Sequence, residues 1–255
     1  MRVALVYKKE SESVAERVRR FLERVSDVTV FPSPSTELEE FEALVIVGGD
    51  GTVLRTVQEI KNVPPTFVVN TGRVGIFSHA NAEDFENKLE KALESMEYES
   101  FMRIEAKVKG SILRALNEVS VLTHTPSRLL KFEICVDGEL IEEIRSDGMI
   151  FSTPLGSTAY NLSSGGPIID PKLEAVVITP VSPFRLGWRP WVVSGERTIL
   201  AKIELREAVV VADGQKSIVI EPGESVEVKK SKYPVKFFKV EKRLERMSKK
   251  VRELT

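Results

Sequence analysis

Ala43-Leu44-Val45-Ile46-Val47-Gly48-Gly49-Asp50-Gly51-Thr52-Val53-Leu54 is the stretch on which the fold turns. Residues 43–47 are apolar without a break, the pattern of a strand buried on both faces of a parallel sheet rather than one with a wet face. The run stops at a glycine turn. Val53, Leu54, Val57 and Ile60 then recur at helical spacing. Strand, glycine turn and helix in that order form the first part of a parallel crossover. The same alternation lies on both sides of it. Residues 3–7 are an apolar run, and Val14, Val18, Phe21, Leu22 and Val25 follow at helical spacing. Residues 28–31 read as a second strand, cut off by Pro32 and Pro34, and residues 66–70 as another buried one. Phe85, Leu89, Ala92, Leu93 and Met96 mark a further helix. Such alternation predicts an α/β domain, a parallel sheet with helices on its faces.

Near residue 100 the period changes from helical to two. Met102, Ile104, Ala106 and Val108 alternate with polar neighbours, as do Leu130, Phe132, Ile134 and Val136. Ile218 with Ile220, and Val226 with Val228, continue the theme, with turn signals at Asp137-Gly138, Asp213-Gly214 and Pro222-Gly223. The middle of the chain is therefore expected to be antiparallel β. Val240, Leu244, Met247, Val251 and Leu254 then predict a closing helix that packs on the first domain or on a neighbouring subunit. Glutamates interleave with the lysines and arginines of this helix, which reads as a solvated face rather than a docking site for an acidic partner.

Composition narrows the function classes. The 255 residues carry a formal net charge of −1, without the basic excess of a nucleic-acid-binding protein. Cys135 is the one cysteine, so no disulfide can form within the chain, and neither His79 nor His124 has a partner at metal-ligand spacing. Residues 3–7 are too few for a signal peptide or a membrane span. A cytoplasmic protein with no membrane partner is the expectation.

A glycine turn at the carboxyl end of a parallel strand lets backbone N–H groups approach a ligand closely, and the helix beyond it points its positive end at the same place. A phosphate belongs there. Asp50 is an anion inside that anion site. It can hold a bridging magnesium ion, accept a proton from a hydroxyl that attacks phosphorus, or simply cap the helix. Neither G-x-x-x-x-G-K-[ST] nor a G-x-G-x-x-G after the first strand occurs. Asn117-Glu118 interrupts a strand-like stretch, and a paired polar step there implies a bulge or strand end. Asp147-Gly148 leads into Ser152-Thr153-Pro154-Leu155-Gly156-Ser157-Thr158-Ala159-Tyr160 and on to Gly165-Gly166-Pro167. That run is dense in hydroxyls and small residues, and Tyr160 offers a flat face and an O–H.

Gly48–Thr52 resembles the GGDGT motif that NAD kinases share with diacylglycerol and sphingosine kinases and, more distantly, phosphofructokinases. With Asn117-Glu118 and residues 147–167 it matches the ordered motif set of the NAD kinase family, and the likeness continues through Pro183, Leu186, Arg189-Pro190, Val192 and Asp213-Gly214-Gln215. Ser164 stands where the family commonly has alanine, and Arg73 where bacterial members frequently have histidine.

The resemblance implies a Rossmann-like α/β domain, residues 1–98 with 237–255, and a β-rich, sandwich-like domain, residues 99–236, with the C-terminal helix returning to the first. It implies phosphorylation of the adenosine 2′-hydroxyl of NAD by ATP, another triphosphate or polyphosphate, with magnesium, in a homodimer or homotetramer. Asp50 would meet the hydroxyl, with Gly49, Gly51 and Thr52 near the donor phosphates. Asn117 and Glu118 would hold ribose, and Asp147 and Ala159 the carboxamide of nicotinamide. Thr158, Tyr160 and Ser163 would line the adenosine part, and Gln215 is a further cofactor-binding candidate. Arg55, Arg73, Arg185 and Arg189 are candidate phosphate contacts. Two rivals share the glycine motif or the binding role: a lipid kinase, and a module that senses NAD or NADP without turnover.

Overall fold

The computed structural model describes residues 1–185 and 187–254, the last by its backbone alone. Leu186 and the side chain of Leu254 therefore lie outside the described residues. The chain divides into two compact units, Met1–Phe101 with Tyr233–Thr255, and Met102–Lys232.

The first unit begins β1 (Arg2–Tyr7), α1 (Glu12–Val25), β2 (Asp27–Phe31), β3 (Ala43–Gly48), α2 (Asp50–Gln58) and β4 (Thr66–Asn70). A short β5 (Ala80–Asn81), α3 (Phe85–Ser95) and β6 (Tyr98–Phe101) complete its first part. β1 runs parallel to both β2 and β3, and β3 parallel to β4. Every residue of β3 is buried, as the unbroken apolar run requires. Ala15, Val18, Phe21 and Leu22 of α1 pack into one core with Leu5, Val45 and Phe67 of the sheet and with Phe85 and Leu89 of α3.

The second unit consists mainly of β7 (Ile104–Val108), β8 (Ser111–Ala115), β9 (Glu118–Thr123), β10 (Leu130–Val136), β11 (Glu139–Ser146) and β12 (Gly148–Ser152). A single helical turn α4 (Tyr160–Ser163) precedes β13 (Ala175–Val181), β14 (Trp191–Ser194), β15 (Ile199–Glu204), β16 (Ala208–Ala212), β17 (Lys216–Ile220) and β18 (Ser225–Lys230). They form two six-stranded sheets, in the orders β11-β10-β15-β18-β7-β8 and β14-β13-β12-β9-β16-β17. One core fills the space between them. Ile104, Phe132, Ile203 and Val226 enter it from one sheet, and Val121, Phe151, Ile178 and Val210 from the other. Asp137-Gly138 and Asp213-Gly214 close tight hairpins with positive φ at both residues, 49° and 85°, then 50° and 65°. Pro222-Gly223 does something else: it carries the chain from β17 in one sheet to β18 in the other.

The chain then returns to the first unit. β19 (Val235–Phe238) lies parallel to β4 and antiparallel to β6, giving the order β2-β1-β3-β4-β19-β6. His79 ties this seam. Its Nδ1 accepts the Val68 N–H at 3.0 Å and its Nε2 donates to the Phe238 carbonyl at 2.9 Å. Burial holds the ring neutral, pushing its pKa down to about 3. The closing helix α5 spans Arg243–Leu254, so Val240 precedes it. Lys242, at φ 53°, turns the chain between the two, and Leu244 is exposed where the apolar spacing placed it on the packed face. Cations and Met247 dock the helix instead. Arg243 bonds Glu99 at 2.9 Å and lies over the Phe101 ring.

Candidate functional site

In the first unit the candidate site is built at the carboxyl end of β3. Gly49, not Asp50, is the N-cap of α2, and no side chain caps the helix. The N–H groups of Thr52 and Val53 close the first turn on the Gly49 carbonyl. Gly48 is required by space, since a Cβ there would fall 2.5 Å from the Thr52 hydroxyl oxygen. Asp50 is thus the first helical residue, with its carboxylate free to turn elsewhere. Each of its oxygens accepts a backbone N–H from the loop that follows β4: Ile76 and Phe77, both at 3.1 Å. The capping reading is therefore set aside.

A cleft of about 740 Å³ opens beside this turn, lined among others by Lys8, Lys9, Gly49, Gly51, Thr52 and Arg55. Lys8 and Lys9 escaped the sequence reading. Their signal was position, directly after β1 and so at the same edge of the parallel sheet. Arg55 is exposed one turn into α2, at the spacing that shares a helix face with Gly51 and Thr52. Gly72 lines the cleft, whereas the exposed Arg73 next to it is not among its lining residues.

In the second unit the candidate residues gather where β8 breaks into β9. Asn117 and Glu118 are only 9% exposed and stand at a strand end, between the last residue of β8, Ala115, and the body of β9. The break is held by Asp213, whose carboxylate accepts the N–H groups of Leu116 (2.7 Å), Asn117 (2.8 Å) and Glu118 (3.1 Å). Thr153 closes the other side, donating its hydroxyl to the Leu116 carbonyl at 2.6 Å and its N–H to that of Asn117 at 2.8 Å. Gly156 packs so tightly that a Cβ would sit 2.2 Å from the Asn117 carbonyl oxygen. Sequence reading treated Asp213 as a turn residue with a family likeness and missed this clamp.

Glu118 carries the electrostatic consequence. Its Oε2 is buried without a hydrogen-bond partner. Burial first, and then the charge of Asp213, raise its pKa to about 8, with the Tyr160 N–H drawing it partly back. Asp213 is raised by burial to about 6, its three N–H donors opposing the rise. At neutral pH Glu118 is therefore a neutral acid beside an ionised aspartate. The Tyr160 phenol is pushed up by burial and by the charges of Glu118 and Asp147, which places it in the field of both carboxyl groups.

Much of the hydroxyl-rich run is engaged in its own framework. Ser157 donates to the Pro154 carbonyl at 2.6 Å and accepts the Ile169 N–H at 3.0 Å. Asn161 bonds the carbonyls of Ser157 and Pro167 and accepts the Thr179 hydroxyl at 2.7 Å. Thr158 is buried, Ala159 half-buried and Tyr160 36% exposed. Ser163 donates to the Tyr160 carbonyl, and Gln215 to that of Asp213. Arg185 is exposed and paired at 3.7 Å with Glu142, and Arg189 bonds the carbonyl of Trp188. Among the described residues no three His, Cys, Asp or Glu side chains converge into a metal cluster, and no helix is long and apolar enough to cross a membrane.

Known proteins share both halves. The model of the ATP-NAD kinase N-terminal domain matches residues 34–98, and that of the ATP-NAD kinase C-terminal domain residues 116–240. The NAD kinase of Archaeoglobus fulgidus is 45% identical over 255 residues, 100% of both chains. That of Methanosarcina acetivorans is 40% identical over 219 residues, 85% of this chain and 80% of the other. The crystal structure of an NAD kinase from A. fulgidus in complex with ATP superposes with a TM-score of 0.93 at 44% identity, covering 100% of each chain. Yeast NADH kinase complexed with NADH shares the fold, with a TM-score of 0.87, 24% identity and coverage of 98% and 86%. With its glycine turn, its Asn-Glu strand break and its whole length matched in this way, the chain is a kinase that belongs to the NAD kinase family.

Proposed function

We propose that the chain moves the terminal phosphoryl group of ATP to the 2′-hydroxyl of the adenosine ribose of NAD, giving NADP and ADP, with Asp50 accepting the hydroxyl proton. The observation that carries this reading is the posture of Asp50. A capping aspartate would turn back onto its own helix. This one is held by two amides of a distant loop, beside a glycine turn and a cleft bearing Lys8, Lys9 and Arg55. The ribose oxygen forms the new bond to phosphorus while the bond to the departing diphosphate oxygen breaks. An alcohol is a far weaker acid than a carboxylic acid, so Asp50 orients the hydroxyl and takes its proton late in the transfer. Gly49, Gly51, Thr52 and Arg55 receive the donor phosphates, with Arg73 a further candidate contact.

NAD is held by residues 99–236 and the donor by residues 1–98 with 237–255. Asn117 and Glu118 bond ribose, Glu118 as a neutral acid able to donate. Asp147 and Ala159 take the carboxamide, Thr158, Tyr160 and Ser163 line the adenosine, and Gln215 adds a further contact to the cofactor. Magnesium is commonly bound through one or two carboxylates together with substrate phosphates, and Asp50 is the one carboxylate at the glycine turn, which fits that arrangement. When bound, the ion offsets the charge of the donor oxygens. The enzyme works in the cytoplasm as a homodimer or homotetramer, apart from nucleic acid and membranes.

The deciding assay incubates the protein with NAD, ATP and magnesium and detects NADP with an NADP-specific dehydrogenase. Asp50→Asn is expected to keep NAD binding and lose roughly 10²–10⁴-fold in turnover. Near-parental turnover in that variant refutes the proton-acceptor role. NADP formed only from polyphosphate replaces the donor. Tight NADP binding without turnover by any donor favours a sensor, and phosphorylated diacylglycerol or sphingosine a lipid kinase.

A further inference from the structure

The amides that hold Asp50 belong to a loop with no regular structure, so something must fix the loop. Asn70 secures its start, bonding both the N–H and the carbonyl of Gly72 at 3.0 and 3.1 Å. Phe77 anchors its end, stacked on Phe237 with ring centroids 5.7 Å apart. Ser78 folds back on the Gly75 carbonyl through its N–H and its hydroxyl, at 3.2 and 2.8 Å. The outward carbonyls of this loop are met by the closing helix of the same unit. Lys250 donates to the Val74 carbonyl and reaches the Ser78 hydroxyl at 3.5 Å, and Arg246 donates to the Ser78 carbonyl at 3.0 Å.

These two cations stand four residues apart and so share one face of α5. Lys250 is half-buried and makes no ion pair with a carboxylate among the described residues. A lysine with that freedom would ordinarily carry its ammonium out to water. Here burial depresses the ammonium, the charge of Asp50 acts against that, and Arg246 adds to it. The position of this cation on a loop carbonyl is therefore costly, and a role in holding the loop accounts for it.

We propose that Lys250 and Arg246 are positioning residues for Asp50: they pin the 72–78 loop by its carbonyls, and the loop presents the Ile76 and Phe77 amides that aim the carboxylate. The catalytic consequence rests on the reading of Asp50 as proton acceptor. The helix itself touches no reacting atom in this scheme.

Lys250→Met in the full-length protein tests it, with Lys250→Arg as the conservative variant and Lys250→Met combined with Asp50→Asn as the coupling control. A misplacement near 1 Å costs about 10²-fold in rate, so Lys250→Met is expected to lower kcat roughly 10–100-fold while KM for NAD stays within about threefold. Lys250→Arg restores most of the turnover. Hydrogen exchange at the Ile76 and Phe77 amides quickens in Lys250→Met, with the thermal midpoint near the parental value. In the Asp50→Asn background the lysine substitution brings no further loss of kcat. Parental kcat, parental exchange at those two amides, or an equal fold-loss in the Asp50→Asn background each overturns the proposal. Should Asp50→Asn itself keep turnover, the proton-acceptor reading fails on its own, and the exchange rates alone then decide whether Lys250 holds the loop.

Discussion

Asp213 and Glu118 are joined by two hydrogen bonds and opposed through their charges. The Glu118 N–H donates to the Asp213 carboxylate at 3.1 Å, and the Asp213 N–H donates to the Glu118 carbonyl at 3.0 Å. Two buried carboxylates so linked cannot both ionise cheaply. Asp213 has three backbone donors that favour its charged form, so the shared disadvantage falls on Glu118. The result is a carboxylic acid able to donate a hydrogen bond at neutral pH.

Asp213→Asn removes the charge and turns an amide group toward N–H donors that need an acceptor. At least one of the three bonds to residues 116–118 is lost, so KM for NAD should rise about tenfold, with kcat less affected. Glu118 loses the repulsion that raises its pKa, and the pH dependence of NAD binding should move to lower pH. Steady-state kinetics across pH measure both. A parental KM would mean that the strand break keeps its course without the carboxylate.

Glu118 also sets a stability trend. Its folded pKa, about 8, lies above the ordinary 4.5, so the folded state holds the proton more tightly than the unfolded chain does. The stability due to that proton is complete below pH 4.5 and is lost as pH rises through about 8. Glu118→Gln carries no such titration. Its thermal midpoint should match the parent near pH 4.5 and exceed it at pH 9, and parallel curves for the two proteins would contradict the assignment.

His79 acts in the opposite sense. Its folded pKa of about 3 is depressed from 6.5, so its contribution is present above 6.5 and is lost as pH falls toward 3. His79→Leu leaves the Val68 N–H and the Phe238 carbonyl without partners, a cost of about 2–4 kcal/mol at pH 8. The variant should show a shallower loss of stability between pH 6.5 and 4, which denaturant melts at several pH values would reveal.

Two glycines make a contrasting pair. Gly156→Ala brings a Cβ to 2.4 Å from the Asn117 Cα as well as 2.2 Å from its oxygen, so backbone must move and NAD binding should weaken. A Cβ at Gly51 meets nothing within 4 Å in the protein alone. Gly51→Ala should fold with a parental midpoint and instead raise KM for ATP, because under the proposed function the space it fills is space the phosphates need. Unchanged KM for ATP would place the donor elsewhere.

Much of the architecture was legible in the chain because it rests on local periods. Residues 43–47 followed by a glycine turn specify a buried parallel strand and the helix start after it, whatever the remainder of the molecule does. The alternation of residues 130–136 likewise specifies a strand with one face in a core, and Asp-Gly at 137–138 and 213–214 a hairpin that needs positive φ. The break at Asn117-Glu118 could be read because paired polar residues interrupt such a period. β19 could not be assigned to the first sheet, since its register on Thr66 is a relation between distant segments.

The same distinction separates the candidate residues from what directs them. Residue type and spacing by themselves determined that Asp50 stands in a glycine turn between a buried strand and a helix, that Asn117 and Glu118 mark a strand break, and that Tyr160 belongs to a hydroxyl-rich segment. Tertiary structure alone decided that Asp50 rests on the amides of Ile76 and Phe77, that Asp213 clamps residues 116–118, and that Lys250 reaches Val74. The physical reason is that propensity and hydrophobic period are properties of a few consecutive residues. A backbone amide looks the same at every position of a sequence, and which carboxylate it meets is fixed only when the whole chain has packed.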